Sequence, residues 1–272
     1  MCLEIMGILN VTPDSFSDGG KYLLAATAIK AGMAMHEAGA DVVDVGGEST
    51  RPGAAEVSVE EELRRVIPVV EALSKAGVLV SIDTRRAEVM RAAIDAGAAM
   101  VNDISALTAD PQSLATVART DTKIVLMHMR GTPATMQSLT DYDDVVAEVV
   151  AWLGERIAVC MAAGIPKERL LVDPGIGFAK KLDQNLALLK NLEAFHSLGV
   201  PVLLAASRKS LIADALGDIP MDARQPASLA IALRGAEAGV QMVRVHDVAE
   251  TRQALDMWSR IRQVRKNSCS GR

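Results

Sequence analysis

The stretch Asp41-Val-Val-Asp-Val-Gly-Gly-Glu-Ser-Thr-Arg-Pro-Gly53 reads as a buried strand that breaks into a polar loop. Asp41–Val45 is a short apolar, β-branched run, and the Gly, Ser and Pro that follow are turn residues. Beyond them the period changes: in Val59–Lys75 the apolar residues recur about every 3.6 positions, as on an amphipathic helix. Strand, polar loop and helix form the repeating unit. The same unit can be traced through Ile5–Leu9, Asp41–Val45, Val78–Ile82, Met100–Val101, Ile124–Met127, Leu170–Val172, Val202–Leu204 and Met242–Val245. The intervening segments, such as Val59–Lys75, Val145–Ala163 and Asn185–Phe195, carry helical spacing. Eight strand–helix repeats predict an α/β fold with a single (β/α)8 TIM barrel. A doubly wound open sheet shares the alternation; the count and the spread of the polar motifs favour the barrel. Gly39, Gly77, Gly97, Gly164, Gly199 and Gly239 each fall between a helical run and the next strand, where a left-handed cap suits the turn.

Composition agrees with one such domain. The chain has 272 residues, 50% of them hydrophobic, and a barrel takes roughly 250. Residues 1–264 are expected to form it, with 265–272 a frayed tail. Cys2, Cys160 and Cys269 lie too far apart in sequence to suggest a zinc site or a disulfide framework. Apolar stretches such as Val200–Ala206 fall far short of the roughly 18 residues of a membrane span, so a soluble cytoplasmic protein is expected. A net charge of −5 gives no general attraction to nucleic acid or membrane. An anionic ligand would need a local cluster of basic groups.

The polar residues collect where the strands end. Asn10 to Gly20 follows the first strand and Gly46 to Gly53 the second; Asp83-Thr84-Arg85, Asn102-Asp103, His128, Asp173 to Phe178, Ser207 to Ser210, and Arg244 with His246-Asp247 close the other six. In a barrel all of these share one rim, the face that builds active sites. Taken singly, Asp14, Asp103 and Asp247 read more simply as caps or turn residues. Asp83, Asn102 and Asp173 directly follow buried strand residues, and three such acceptors suit a ligand edge rich in N–H donors, such as a guanidine-like heterocycle. Arg51, Arg208, Lys209, Arg244 and His246 would converge on an anion such as phosphate. Asn10, nearby hydroxyls and Asp18 supply oxygen atoms that Mg²⁺ could share with a diphosphate; the same loop also reads as a Gly-rich lid. The residues alone thus describe a barrel with a planar heterocycle inside and an anion at the rim, and they do not name a reaction.

The motifs Met6-Gly-Ile-Leu-Asn-Val-Thr-Pro-Asp-Ser-Phe-Ser-Asp-Gly-Gly20, Asp44-Val-Gly-Gly-Glu-Ser-Thr-Arg-Pro-Gly53, Ser81-Ile-Asp-Thr84, Val101-Asn-Asp-Ile104, Leu126-Met-His-Met129, Asp173-Pro-Gly-Ile-Gly-Phe178, Ser207-Arg-Lys-Ser210 and Arg244-Val-His-Asp247 occur in that order. Together they resemble the dihydropteroate synthases, from Met6 to about Val248. The resemblance implies that a dihydropterin pyrophosphate is joined to p-aminobenzoate, with Mg²⁺ as cofactor and diphosphate as leaving group. It implies that Asp83, Asn102, Asp173 and Lys209 hydrogen-bond the pterin, with Arg244 stacked on its face and Met127 lining the slot. It further implies that Asn10, Arg244 and His246 hold the diphosphate, with Asn10 on the metal. Thr50, Arg51, Pro52, Phe178, Lys209 and Ser210 would form the p-aminobenzoate site, closed over by Phe16 and Asp18. Catalysis would fall to Asn10, Asp18, Asp83, Lys209, Arg244 and His246, through a dissociative substitution with no covalent intermediate. Sulfonamides are expected to imitate p-aminobenzoate, and a homodimer through the later helices is implied; the alanine-rich face around Ala227–Ala238 is compatible with close helix packing, although most such faces are simply intramolecular core.

The sequence departs from the family pattern at Ile176 and Ala179, where many relatives have Phe and Gly, and at Ala205-Ala206, where many have a Gly near the pterin. The first strand begins almost at Met1, so a segment that commonly covers the barrel floor is expected to be absent. A pterin-binding methyltransferase barrel would share Asp83, Asn102 and Asp173 but has no use for Asn10, Arg51 and Lys209 in these roles. A catalytically silent paralogue would bind pterin without releasing diphosphate. A purely structural barrel would leave the polar strand ends without a purpose.

Overall fold

The computed structural model describes residues 3–12, 21–49 and 56–263. The apolar runs form eight parallel strands: β1 (Glu4–Asn10), β2 (Val42–Gly46), β3 (Val80–Asp83), β4 (Met100–Asp103), β5 (Lys123–Met127), β6 (Leu170–Asp173), β7 (Leu203–Ala205) and β8 (Met242–Val245). Their order is β6-β5-β4-β3-β2-β1-β8-β7, and one parallel bridge from Val172 to Val202 joins the two ends. The expected barrel forms, and it closes through a thin seam. Pro201 has no N–H to offer, and the Val202 N–H donates to Gln241 Oε1 (2.7 Å). Across the seam the Val172 N–H donates to Pro201 O (2.9 Å).

Helices α1 (Lys21–Glu37), α2 (Val59–Lys75), α3 (Ala87–Asp95), α4 (Ser113–Ala118), α5 (Val145–Ala162), α6 (Leu182–Lys190), α7 (Leu211–Leu216), α8 (Gln225–Ala238) and α9 (Val248–Gln263) surround the sheet. Two differ from the simple repeat. The expected helix Asn185–Phe195 is interrupted: α6 stops at Lys190 and a 3₁₀ segment runs over Leu192–Leu198. Between them Asn191 leaves helical geometry, and its Nδ2 donates to Ala187 O (2.8 Å), so a side chain competes with the backbone at the helix end. Between β7 and β8 two helices, α7 and α8, stand in place of one. The small residues Ser228, Ala232, Gly235 and Ala238 of α8 face the core; a Cβ on Gly235 would meet Leu204 Cδ2 at 2.9 Å. The six turn glycines all hold positive φ, between 66° and 104°.

Strand side chains alternate between the barrel interior and the helices. Met6, Val42, Met100, Val125, Leu171, Leu203, Ala205 and Met242 pack together as the interior floor, while neighbours such as Val43, Ile82, Val101 and Leu126 join the larger core beneath the helices. Two residues further along, at the next inward position, the chain changes character: Val42 gives way to Asp44, Met100 to Asn102, Leu171 to Asp173 and Met242 to Arg244. That step from apolar to polar sets the depth of the site.

Candidate active site

Arg244 occupies the centre of the polar layer. Its Nε donates to Asp44 Oδ2 (2.6 Å) and its Nη2 to Asp83 Oδ2 (2.7 Å), so one guanidinium bridges β2 and β3 from β8. Asn102 Nδ2 donates to the same Asp44 oxygen (2.9 Å). Asp44 is fully buried, and its Oδ1 is one of the few buried side-chain atoms without a partner among the described residues. Desolvating a carboxylate this completely is tolerable only with a cation and donors on it. On the far side, Asp173 Oδ1 accepts from the Gly175 N–H (2.7 Å).

These contacts set the electrostatics. Burial pushes the Asp83 carboxyl up to about 7 against the pull of Arg244, and Asp44 adds to the rise. Burial likewise raises Asp173, with Lys209 opposing it. Lys209 is brought down to about 8 by burial, although Asp173 favours its charge. Burial also works against the Arg244 charge, but Asp44 and Asp83 together hold it above its ordinary value. Three carboxyls against two cations make a slot that favours N–H donors and developing positive charge, with Arg244 and Lys209 left to meet an acceptor or an anion.

Lys209 reaches across from the β7–α7 loop. Its Nζ donates to Ile176 O (2.5 Å) and sits 4.6 Å from the centre of the Phe178 ring. Phe178 and Met127 share a small apolar cluster with Ile104, Met136 and Ala179. The departures noted above are accommodated here: Ile176 is fully buried, and Ala179 adopts φ 52° without being glycine. His246 Nδ1 and Ser207 Oγ lie 3.1 Å apart. Asn10 ends β1, with its Oδ1 facing Gly46, and Ser210 stands exposed at the start of α7.

The predicted set therefore divides. Asp83, Asn102, Asp173, Lys209, Arg244, Met127 and Phe178 meet around one mouth, with Asn10 and His246 at its edge. Phe16, Asp18, Thr50, Arg51, Pro52 and Asp14 lie outside the described residues. Two expected rim residues turn away. His128 has outward parity on β5, is 2% exposed, and packs edge-on against Trp152 of α5 at 5.0 Å. Arg208, three residues beyond β7 and at φ 57°, is committed to Asp247 through Nε (3.0 Å) and Nη2, so its charge is already paired away from the Arg244 layer. Asp103 closes a turn, as its simpler reading held, by accepting from Ser105 N (2.7 Å) and Leu107 N (2.9 Å).

Sequence reasoning missed Asp44 and the buttress behind the second loop. Glu48 accepts from Val57 N (3.0 Å), Arg86 Nη2 (3.0 Å) and Arg85 Nε (3.3 Å). Glu62, 1% exposed, accepts from Thr84 Oγ1 (2.7 Å) and Arg86 Nη1. A charged residue inside an apolar strand run was the available signal for Asp44.

The family described as "Pterin binding enzyme" matches residues 6–246. The dihydropteroate synthase of Escherichia coli (strain K12) is 51% identical over 253 residues, spanning 93% of this chain and 89% of the relative. The structure of Xanthomonas albilineans dihydropteroate synthase with 4-aminobenzoic acid superposes with a TM-score of 0.91 at 48% identity, covering 97% of this chain and 94% of that one. The Yersinia pestis dihydropteroate synthase in a sulfonamide drug complex gives a TM-score of 0.90 at 45% identity, covering 96% and 94%.

Proposed function

Because the chain belongs to the pterin-binding enzymes, within the dihydropteroate synthases, which are transferases, we propose that it condenses 6-hydroxymethyl-7,8-dihydropterin pyrophosphate with p-aminobenzoate. The products are 7,8-dihydropteroate and diphosphate. The observation that carries this reading is the polar layer itself, in which Asp83, Asn102 and Asp173 stand as acceptors on the wall opposite two cations. In this reading those three residues take the N–H edge of the pterin, Lys209 donates to its acceptor atoms, Arg244 lies along its face, and Met127 lines the slot. Asn10, Arg244 and His246 hold the diphosphate. Phe178, Lys209 and Ser210 contribute to the p-aminobenzoate site, with Thr50, Arg51, Pro52, Phe16 and Asp18 completing it.

The methylene C–O bond breaks first, and the departing diphosphate keeps the electron pair. Asp83 and Asp173 stabilise the resulting pterin cation through space and through their hydrogen bonds, while Arg244 and His246 hold the anion. The neutral aniline nitrogen then attacks the methylene carbon, forming the C–N bond, and loses one proton to water or to the released diphosphate. Orientation and electrostatics supply the acceleration, and no side chain needs to become a nucleophile.

The donor set fits Mg²⁺ only in one manner. Among the described residues no three His, Cys, Asp or Glu side chains are grouped to hold a metal, and the Asn10 amide oxygen is a single hard ligand. One protein oxygen suits an ion that keeps its waters and shares substrate phosphate oxygens. When bound there, it would neutralise charge on the leaving diphosphate.

The assay that tests the proposal incubates the protein with the pterin pyrophosphate and Mg²⁺, with and without p-aminobenzoate, and quantifies dihydropteroate and diphosphate. Product that requires both substrates and the metal supports it; tight pterin binding with neither product supports the silent paralogue. A sulfonamide in large excess is expected to compete with p-aminobenzoate, and an unchanged rate would rule that out. A homodimer in the cytoplasm completes the proposal. Met257 and Ile261, exposed four residues apart on one face of α9, are compatible with the dimer, and light scattering at twice the chain mass is the expected result.

A further inference from the structure

Lys180 lies outside the mouth, yet it is among the most thoroughly buried charged side chains, 4% exposed. Its ammonium uses all three donors within the protein: to Gly175 O (3.0 Å), Phe178 O (2.9 Å) and His128 Nδ1 (3.0 Å). As an ammonium Lys180 donates and cannot accept, so in that state His128 Nδ1 offers its lone pair and the ring proton sits on Nε2. Burial, together with the charge of Lys180, depresses the imidazole to about 2 and keeps it neutral. Burial also lowers Lys180 itself, to about 7, against the support of Asp173.

The two carbonyls that Lys180 grips are not arbitrary. They bracket Ile176, whose own carbonyl accepts from Lys209 Nζ, and one belongs to Phe178, whose ring lies beneath the same ammonium. Asn185 adds a second clamp from below, accepting from Gly177 N (2.7 Å) and donating to Lys180 O (3.2 Å). The segment from Asp173 to Lys180 is thus held from behind by one cation while it presents a carbonyl and an aromatic face to another.

We infer that Lys180 is a positioning residue: from behind the mouth it fixes the loop after β6 so that Ile176 O and the Phe178 ring place the Lys209 ammonium for p-aminobenzoate. This rests on the proposed function, and Lys180 itself touches no substrate. Loss of the grip would let the loop, and Lys209 with it, shift by a distance of the order of 1 Å, for which about a 100-fold loss of kcat/KM is expected.

The test compares wild type, Lys180→Met and Lys180→Gln by steady-state kinetics and thermal unfolding at saturating pterin pyrophosphate. A residue needed only for stability lowers the active fraction, and so kcat, at constant KM. Positioning of Lys209 predicts instead that Lys180→Met raises KM for p-aminobenzoate by tens of fold, more than it lowers kcat. Lys180→Gln keeps two N–H donors on a chain one atom shorter, so a weakened grip and an intermediate KM are expected. An unchanged KM in either folded variant overturns the inference, and failure of both variants to fold assigns Lys180 to stability alone and overturns it too. A wild-type enzyme that makes no dihydropteroate overturns the underlying function before Lys180 is altered.

Discussion

Arg244 spans two carboxylates because a guanidinium presents its donors as a planar fork. In Arg244→Lys a single ammonium cannot reproduce both the 2.6 Å contact to Asp44 and the 2.7 Å contact to Asp83. Losing one charge-assisted bond of about 1.5–3 kcal/mol predicts dihydropteroate formation slower by about 10- to 100-fold; a rate within twofold of wild type would show that the bridge is dispensable. The pH profile is a second prediction. Asp83 carries negative charge and accepts through both oxygens only when ionised, so kcat/KM should climb as pH rises through about 7. Lys209 keeps its charge and its third donor only while protonated, and the Lys180 that holds its loop loses a donor from about 7 upward, so kcat/KM should fall as pH passes from about 7 to about 8. The result is a narrow bell, whose alkaline limb is left to Lys180 alone in Lys209→Arg; a flat profile over about pH 6 to 9 contradicts these assignments. The residues behind these predictions were legible because each stands where a buried run turns polar. Asp44 was not singled out, since its neighbours read only as strand, and the partner that makes its burial tolerable lies 200 positions away at Arg244. Lys180 was hidden for a related reason: nothing local distinguishes a lysine that folds under its own loop from one in solvent.

The loop between β6 and α6 is the element on which the mouth depends most, and its backbone leaves little latitude. Gly175 holds φ 71°, and a Cβ there would lie 1.9 Å from His128 O. Gly164, at φ 87°, has nothing within 4 Å of the same atom. Gly164→Ala should therefore cost only the left-handed penalty of about 1–2 kcal/mol, whereas Gly175→Ala adds overpacking against backbone worth about 1–3 kcal/mol more. Urea unfolding of the two variants measures the difference, and equal losses would mean that the loop moves aside freely. All eight strands could be read from sequence, because buried parallel strands are short continuous apolar runs. The break at Asn191 and the doubled helix before β8 could not. Helical periodicity continues through the first, and the second depends on where α8 can seat its small residues against β7 and β8.

At the scale of the whole molecule, the count of eight decided between a closed ring and an open sheet, and the ring forms. How well it closes was beyond sequence reading: the β6–β7 contact depends on where the Val202 N–H goes, and a distant glutamine takes it. The seam also divides the site by charge. Asp44, Asp83, Asn102 and Asp173 belong to strands β2, β3, β4 and β6, whereas Arg244 and Lys209 belong to β8 and to the loop after β7. Asp173 and Lys209 face each other across it. In the language of native-state amide exchange, such a ring should breathe at its weakest joint. The Val172 amide is expected to exchange through a local opening, well below the free energy needed to release the β1–β2 amides. A ligand that spans Asp173 and Lys209 would act as a clasp, slowing Val172 exchange more than that of any β1–β2 amide, so filling the pocket would also complete the ring.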